Sequence, residues 1–231
     1  MLGFNRFVYT FLTTILTLGF SKIMDAQVAV GTSNHMMLTK KYTNKDFYQD
    51  GVFNKLRAKE AIREMIIGFG NSYTDQMDEL IWVSDFGLGD YEHVGLASII
   101  WFNNTKGYHF FAMTMYLLPG QMIPEHIHRP IRSSPSLPPK YESWEVIKGW
   151  IYNFSEVGNA TPNPPKIPDS FGKVISQNYN IMNIGEIQSL KQLETWHFMM
   201  AGPNGAIVDE YGVYHDRRGW FSSNDKAYPT N

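Results

Sequence analysis

The stretch LLPGQMIPEHIHRP, residues 117–130, decides how the chain is read. His126 and His128 stand one residue apart, just after a Pro-Gly pair. In a β-strand, residues i and i+2 point to the same face, so both imidazoles aim at one point. Histidine is the commonest metal ligand, and a shared metal ion is the usual reason for such a pair. A His-x-His pair needs further ligands elsewhere in the chain to complete a site.

Outward from this stretch the texture is that of many short strands. GLASIIWFNN (residues 95–104) and YHFFAMTMYLLPG (108–120) are strand-like runs joined by the turn signal NTKG. ESWEVIKGWIYNFSE (142–156) is a strand region with an internal Gly149, and TPNPPKIPDS (161–170) is a proline-rich loop. NYNIMNIGEIQSL (178–190) and TWHFMMAGPNGAIVDEYGVYH (195–215) complete the set. Upstream, Phe53, Leu56, Ile62, Met65, Ile66 and Phe69 fall at helical spacing, and Gly68 and Gly70 end that run. ELIWVSDFGLGD (79–90) reads as a short strand and a glycine-rich turn. Residues 27–50 are polar and mixed, an arm before the helix. Little helix and many punctuated strands predict an all-β barrel or sandwich with an N-terminal helix and arm, as a single domain over residues 27–231.

The chain has 231 residues and a net charge of −2, with 43% hydrophobic and 15% aromatic residues. That supports a sizeable core and gives no strong field toward nucleic acid or anionic membrane. No cysteine is present, which removes disulfides and thiolate ligands. Arg6, the uncharged apolar run of residues 7–20 and Ala26 follow the three-part plan of a secretory signal over residues 1–26. Export to the periplasm or medium is therefore expected, with the mature chain starting near Gln27 and no membrane attachment after cleavage.

Gly120, then His126 and His128, then Glu142 followed by Gly149, and later Gly185 and His197 resemble the two motifs of the cupin superfamily. The resemblance implies a jelly-roll β-barrel and a ligand set of His126, His128, Glu142 and His197. Two donor types, imidazole and carboxylate, suit one divalent ion, manganese first, with zinc, iron or cobalt also accepted. RPIRSSPSLPPKY (residues 129–141) separates the second histidine from the carboxylate by more than cupins usually allow, and reads as a loop able to roof the site. It leaves Glu145 as an alternative to Glu142, although strand parity and the Gly149 spacing favour Glu142.

PEHIHRP, KYESWEVIKGW, IWVSDFGLGDYE and the tail TWHFMMAGPNGAIVDEYGVYHDRRGWF are similar to segments of cupin-type D-lyxose isomerases. That resemblance implies a metal-dependent aldose–ketose isomerase acting on free sugars such as lyxose or mannose. It implies that Lys140, matching a lysine of the family's motif, steadies the developing enediolate. Asp216 and Arg217, in the final turn, are candidates for binding sugar hydroxyls. Trp144 and Trp196 lie beside ligands, and Trp144 is a candidate for stacking on the sugar. His93, His109 and His215 are expected to be structural or exposed, and Glu125, next to His126, to face solvent. A cupin pairing through its sheets would be a homodimer. An iron dioxygenase or a non-catalytic carbohydrate-binding cupin would use the same ligands.

The residues themselves nominate Glu210 as the catalytic carboxylate. If Gly202, Pro203, Asn204 and Gly205 form a hairpin turn, Met199 faces Val208 and His197 faces Glu210. Glu210 then shares the cavity of His197, and Asp209 faces out. A bulge at either glycine would exchange Glu210 and Asp209. A carboxylate that only orients His197 is the other reading.

Overall fold

The computed structural model describes residues 41–104, 108–131, 139–214 and 216–229. The expected signal segment, the expected start near Gln27, His215 and most of the loop expected to roof the site lie outside the described residues.

The chain enters through α1 (Asn44–Phe47) and the two-residue strands β1 (Tyr48–Gln49) and β2 (Val52–Phe53). Then comes the helix expected from the apolar spacing, α2 (Lys55–Gly68). Asn54 caps it by accepting from Arg57 N at 3.0 Å. Gly70 ends it at φ +77°, a left-handed conformation that suits glycine. Ala58, Ala61, Ile62, Met65 and Ile66 form its buried face, while Leu56 is exposed. A further short helix, α3 (Asp75–Leu80), takes residues 79–80 out of the expected strand; Thr74 caps it through Met77 N. Its six residues, DQMDEL, carry no apolar period, which is why the spacing gave no sign of it.

The rest is one antiparallel sheet. Its strands are β3 (Trp82–Ser84), β4 (Leu96–Asn103), β5 (Phe110–Leu117), β6 (His126–His128), β7 (Glu142–Ser155), β8 (Asn178–Asn183), β9 (Ile187–Ser189), β10 (His197–Val213) and β11 (Trp220–Ser222). They run in the order β11-β6-β10-β5-β4-β3, and β7 pairs with β10, β8 and β9. Alternation along β5 separates two cores. Met115 and Leu117 point inward with Leu96, Val146 and Val208, whereas Tyr116 points outward with Ala97, Ile99 and Ile207 against α2.

One expectation is corrected here. Residues 197–213 are not a hairpin but the single strand β10, which pairs with β7 on both sides of residues 202–205, from His197 opposite Ser155 to Gly212 opposite Glu142. Residues 202–205 are a corner, not a turn. Extended, the thirteen steps of β7 between those partners would span about 40 Å, yet His197 Nε2 lies 2.6 Å from Glu142 Oε1. The β7–β10 ribbon therefore folds back on itself midway, as in a jelly roll. The crease lies at Gly149 (φ +68°) and Gly205 (φ +81°), where a β-carbon on Gly149 would sit 2.1 Å from Gly205 O.

The corner also settles Glu210. On β10 the register slips between Ala201 and Ala206, while β7 advances only from Ile151 to Gly149. Four residues of β10 (202–205) face one of β7 (Trp150), and the excess of three reverses the parity. His197, Met199 and Ala201 point inward before the corner, and Ala206, Val208 and Glu210 after it. Glu210 thus faces the interior opposite Trp144 and Met113, not opposite His197. Asp209 faces out and accepts from Thr114 Oγ1 at 2.6 Å.

Candidate active site

The folded ribbon brings four side chains together from three strands. His126 and His128 come from β6, Glu142 from the start of β7 and His197 from the start of β10. One ligand atom from each lies within 4.8 Å of all the others, and all four residues are buried. His126 and His197 are direct cross-strand partners, with ring centroids 4.4 Å apart. His126 Nδ1 lies 2.8 Å from Pro124 O, and His197 Nδ1 lies 2.8 Å from Thr195 O. A carbonyl accepts only, so each Nδ1 carries the proton and each Nε2 is left for the centre.

This donor set fits a divalent cation. Glu142 Oε1 lies 2.6 Å from His197 Nε2 and 3.5 Å from His128 Nε2. With its Nδ1 proton committed to Thr195, a neutral His197 would press a nitrogen lone pair against a carboxylate oxygen, a contact that needs a positive charge. Burial, then the charge of His197, holds His126 well below the usual histidine range, so it is neutral and free to ligate. Burial opposes ionisation of Glu142, but Lys140 and the histidines outweigh it and keep the carboxylate charged.

Lys140 and Glu210 complete the cluster. Lys140 Nζ lies 2.5 Å from Glu142 Oε2, contacts Glu210 Oε1, and sits 4.4 Å over the Phe111 ring. Burial disfavours the ammonium, but the two carboxylates more than offset this and raise its pKa. Burial and the like charge of Glu142 push Glu210 up to about 7, against the pull of Lys140. His126, His128, Lys140 and Glu210 line a cavity of about 300 Å³, the small end of the range for ligand pockets.

The remaining expected residues divide. Arg217 lines the cavity at an exposed position. Asp216 caps a 3-10 turn by accepting from Arg218 N and binds the Arg218 guanidinium at 2.7 Å. Trp144 is buried with its ring parallel to His197 (centroids 6.1 Å apart, 5° between planes), and Trp82 and Trp220 line the cavity. Glu145 faces away, opposite Asp209. His93 is half exposed beside Asp90.

Glu125 departs most from expectation. It is fully buried, and its carboxylate accepts from Ile175 N at 2.8 Å and Ser176 N at 2.6 Å. The parity argument assumed that the strand includes Glu125, but β6 starts at His126. Partners fifty residues away leave no local signal.

A barrel folded from one long creased ribbon, with three histidines and a carboxylate converging inside it, defines a cupin. No family model matches the chain. It is 32% identical over 163 residues to the D-lyxose/D-mannose isomerase of Thermosediminibacter oceani, covering 68% of this chain and 84% of that protein. It is 34% identical over 140 residues to a D-lyxose ketol-isomerase of a Thermofilum species, covering 60% and 73%. Among solved structures, L-ribose isomerase of Acinetobacter sp. DL28 in complex with L-ribose is similar at a TM-score of 0.49 and 17% identity, over 68% of this chain and 78% of that one. The chain belongs to the family of D-lyxose ketol-isomerases.

Proposed function

We propose that the protein is a metal-dependent aldose–ketose isomerase acting on a free monosaccharide such as D-lyxose or D-mannose. One observation carries this reading: a buried lysine–carboxylate pair, Lys140 and Glu210, adjoins the His126, His128, Glu142 and His197 centre on the wall of a single cavity. Those four residues would hold the ion, manganese being the first candidate; when bound, it supplies a Lewis acid for the sugar carbonyl. Isomerisation moves hydrogen between C2 and C1 without net oxidation. Glu210, with its pKa near neutrality, takes the C2 proton as base and returns it to C1. Lys140 stabilises the enediolate oxygens, and one proton passes from O2 to O1. The apolar walls keep bulk water from the exchanging protons.

Metal analysis followed by incubation with lyxose, mannose and ribose tests the reading. Ketose formation without oxygen uptake is expected, and oxygen consumption without ketose would contradict it.

The proposal extends to a homodimer and to export. β3 covers β4 only over Leu96–Ser98, and beyond that the outer edge of β4 meets no further strand among the described residues. Trp101 and Phe102 on β4, Phe110 on the neighbouring β5 and Tyr211 on β10 beyond it are 40–57% exposed, an apolar surface suited to a second copy. The signal-like residues 1–26 support export, and an intact Met1 in the mass of a secreted form would contradict it. Among the described residues no helix is long and apolar enough to cross a membrane.

A further inference from the structure

We propose that the preferred substrate is a terminal deoxy-aldose, a sugar whose last carbon is a methyl group. This rests on the isomerase reading of the same cavity. The reacting carbons C1 and C2 must lie against Lys140 and Glu210, so the far end of the sugar reaches the wall that continues beyond them on the neighbouring strands.

That wall is apolar. Met113 stands directly opposite Glu210 on the neighbouring strand, and Ile100 stands opposite Met113 on the next. Each step outward is one strand spacing of about 4.8 Å. Leu96, Met115 and Ile123 continue the surface, all at most 6% exposed. The adjoining side is the stacked pair Phe86 and Trp220, ring centroids 5.7 Å apart.

Among the described residues, the lining beyond His126, His128, Lys140 and Glu210 offers few polar side-chain groups. Asn103 and Arg217 sit at exposed positions, on the rim. The indole N–H of Trp82 is buried without a partner and can donate to one oxygen part way along the sugar. It accepts nothing, and the methionine wall offers a hydroxyl proton only the weak acceptance of thioether sulfur, Met113 Sδ already taking the hydrogen bond of Ser98 Oγ at 3.2 Å, so a sugar hydroxyl there is poorly paired. Burying a hydroxyl without a partner is unfavourable, whereas a methyl group gains from the same surface.

The test compares sugars that differ only at the terminal carbon: mannose with 6-deoxymannose and lyxose with 5-deoxylyxose, in both enantiomeric series, on the metal-loaded protein. Within any pair turned over, the deoxy sugar should have the higher kcat/KM by about ten- to a hundredfold, the range over which an apolar pocket discriminates against an added hydroxyl. Met113→Gln, close in size and able to hydrogen-bond, should shrink or reverse that preference. Equal or better turnover of the hydroxylated sugar would overturn the inference and leave the isomerase reading standing. No ketose from any of these sugars would overturn both.

Discussion

At the residue scale, the site depends on where a few polar atoms are spent. His126 and His197 commit Nδ1 to backbone carbonyls, which fixes the nitrogens that face the centre. Lys140 bridges Glu142 and Glu210, separating a carboxylate kept charged from one poised near neutrality. Glu210→Gln keeps the shape and removes the base; it should retain metal and lose isomerisation by at least about a hundredfold. Near-normal turnover in metal-replete Glu210→Gln protein would end the assignment. The histidine pair was legible because two-residue periodicity is local. Glu125 was not, because the backbone donors that satisfy it come from a distant loop.

At the element scale, the creased ribbon of β7 and β10 carries the architecture. The sequence shows glycines at 202 and 205 but not whether the chain reverses or merely bends there. A hairpin and a barrel corner use the same residues, and only pairing with β7, some fifty residues earlier, distinguishes them. Glu210 pointed inward under both readings, by coincidence of parity. Gly149→Ala tests the crease: a left-handed backbone and a collision with Gly205 O should cost more than about 2 kcal/mol, read as a fall in denaturation midpoint. A neutral effect would mean that the corner relaxes freely.

The N-terminal elements are tied down by Asp90, which accepts from Asn44 Nδ2 at 2.6 Å and Ser170 Oγ at 2.5 Å and pairs with His93 Nδ1 at 2.7 Å. Burial opposes its charge, but these partners outweigh that and lower its pKa. A depressed carboxylate stabilises the fold above its unfolded value of about 3.9 and loses that contribution as pH falls through the lower folded value. Asp90→Asn should therefore be less stable than the parent at pH 7, with the gap closing below about pH 4 in urea unfolding. A gap independent of pH would contradict this role.

At the scale of the whole molecule, alternating strands and sparse helix made a β-barrel legible, and the spaced glycines and histidines made it a cupin. The short α3 and the packing of α2 on the outer sheet face were not, since neither leaves a long periodic signal linking helix to sheet. The exposed aromatics around β4 belong to this scale too. The protein should sediment as a dimer, and Phe102→Glu with Phe110→Glu should yield a folded monomer. A monomeric parent at micromolar concentration would contradict the proposed pairing.

The most direct measurement is ketose formation from lyxose by protein stripped with a chelator and then reloaded with manganese. The expected result is no ketose from the stripped protein and restored turnover on reloading, with neither metal nor activity regained by His126→Ala, His197→Ala protein. Full turnover by metal-free protein, or none after stoichiometric reloading, would contradict a metal-dependent isomerase built on these residues.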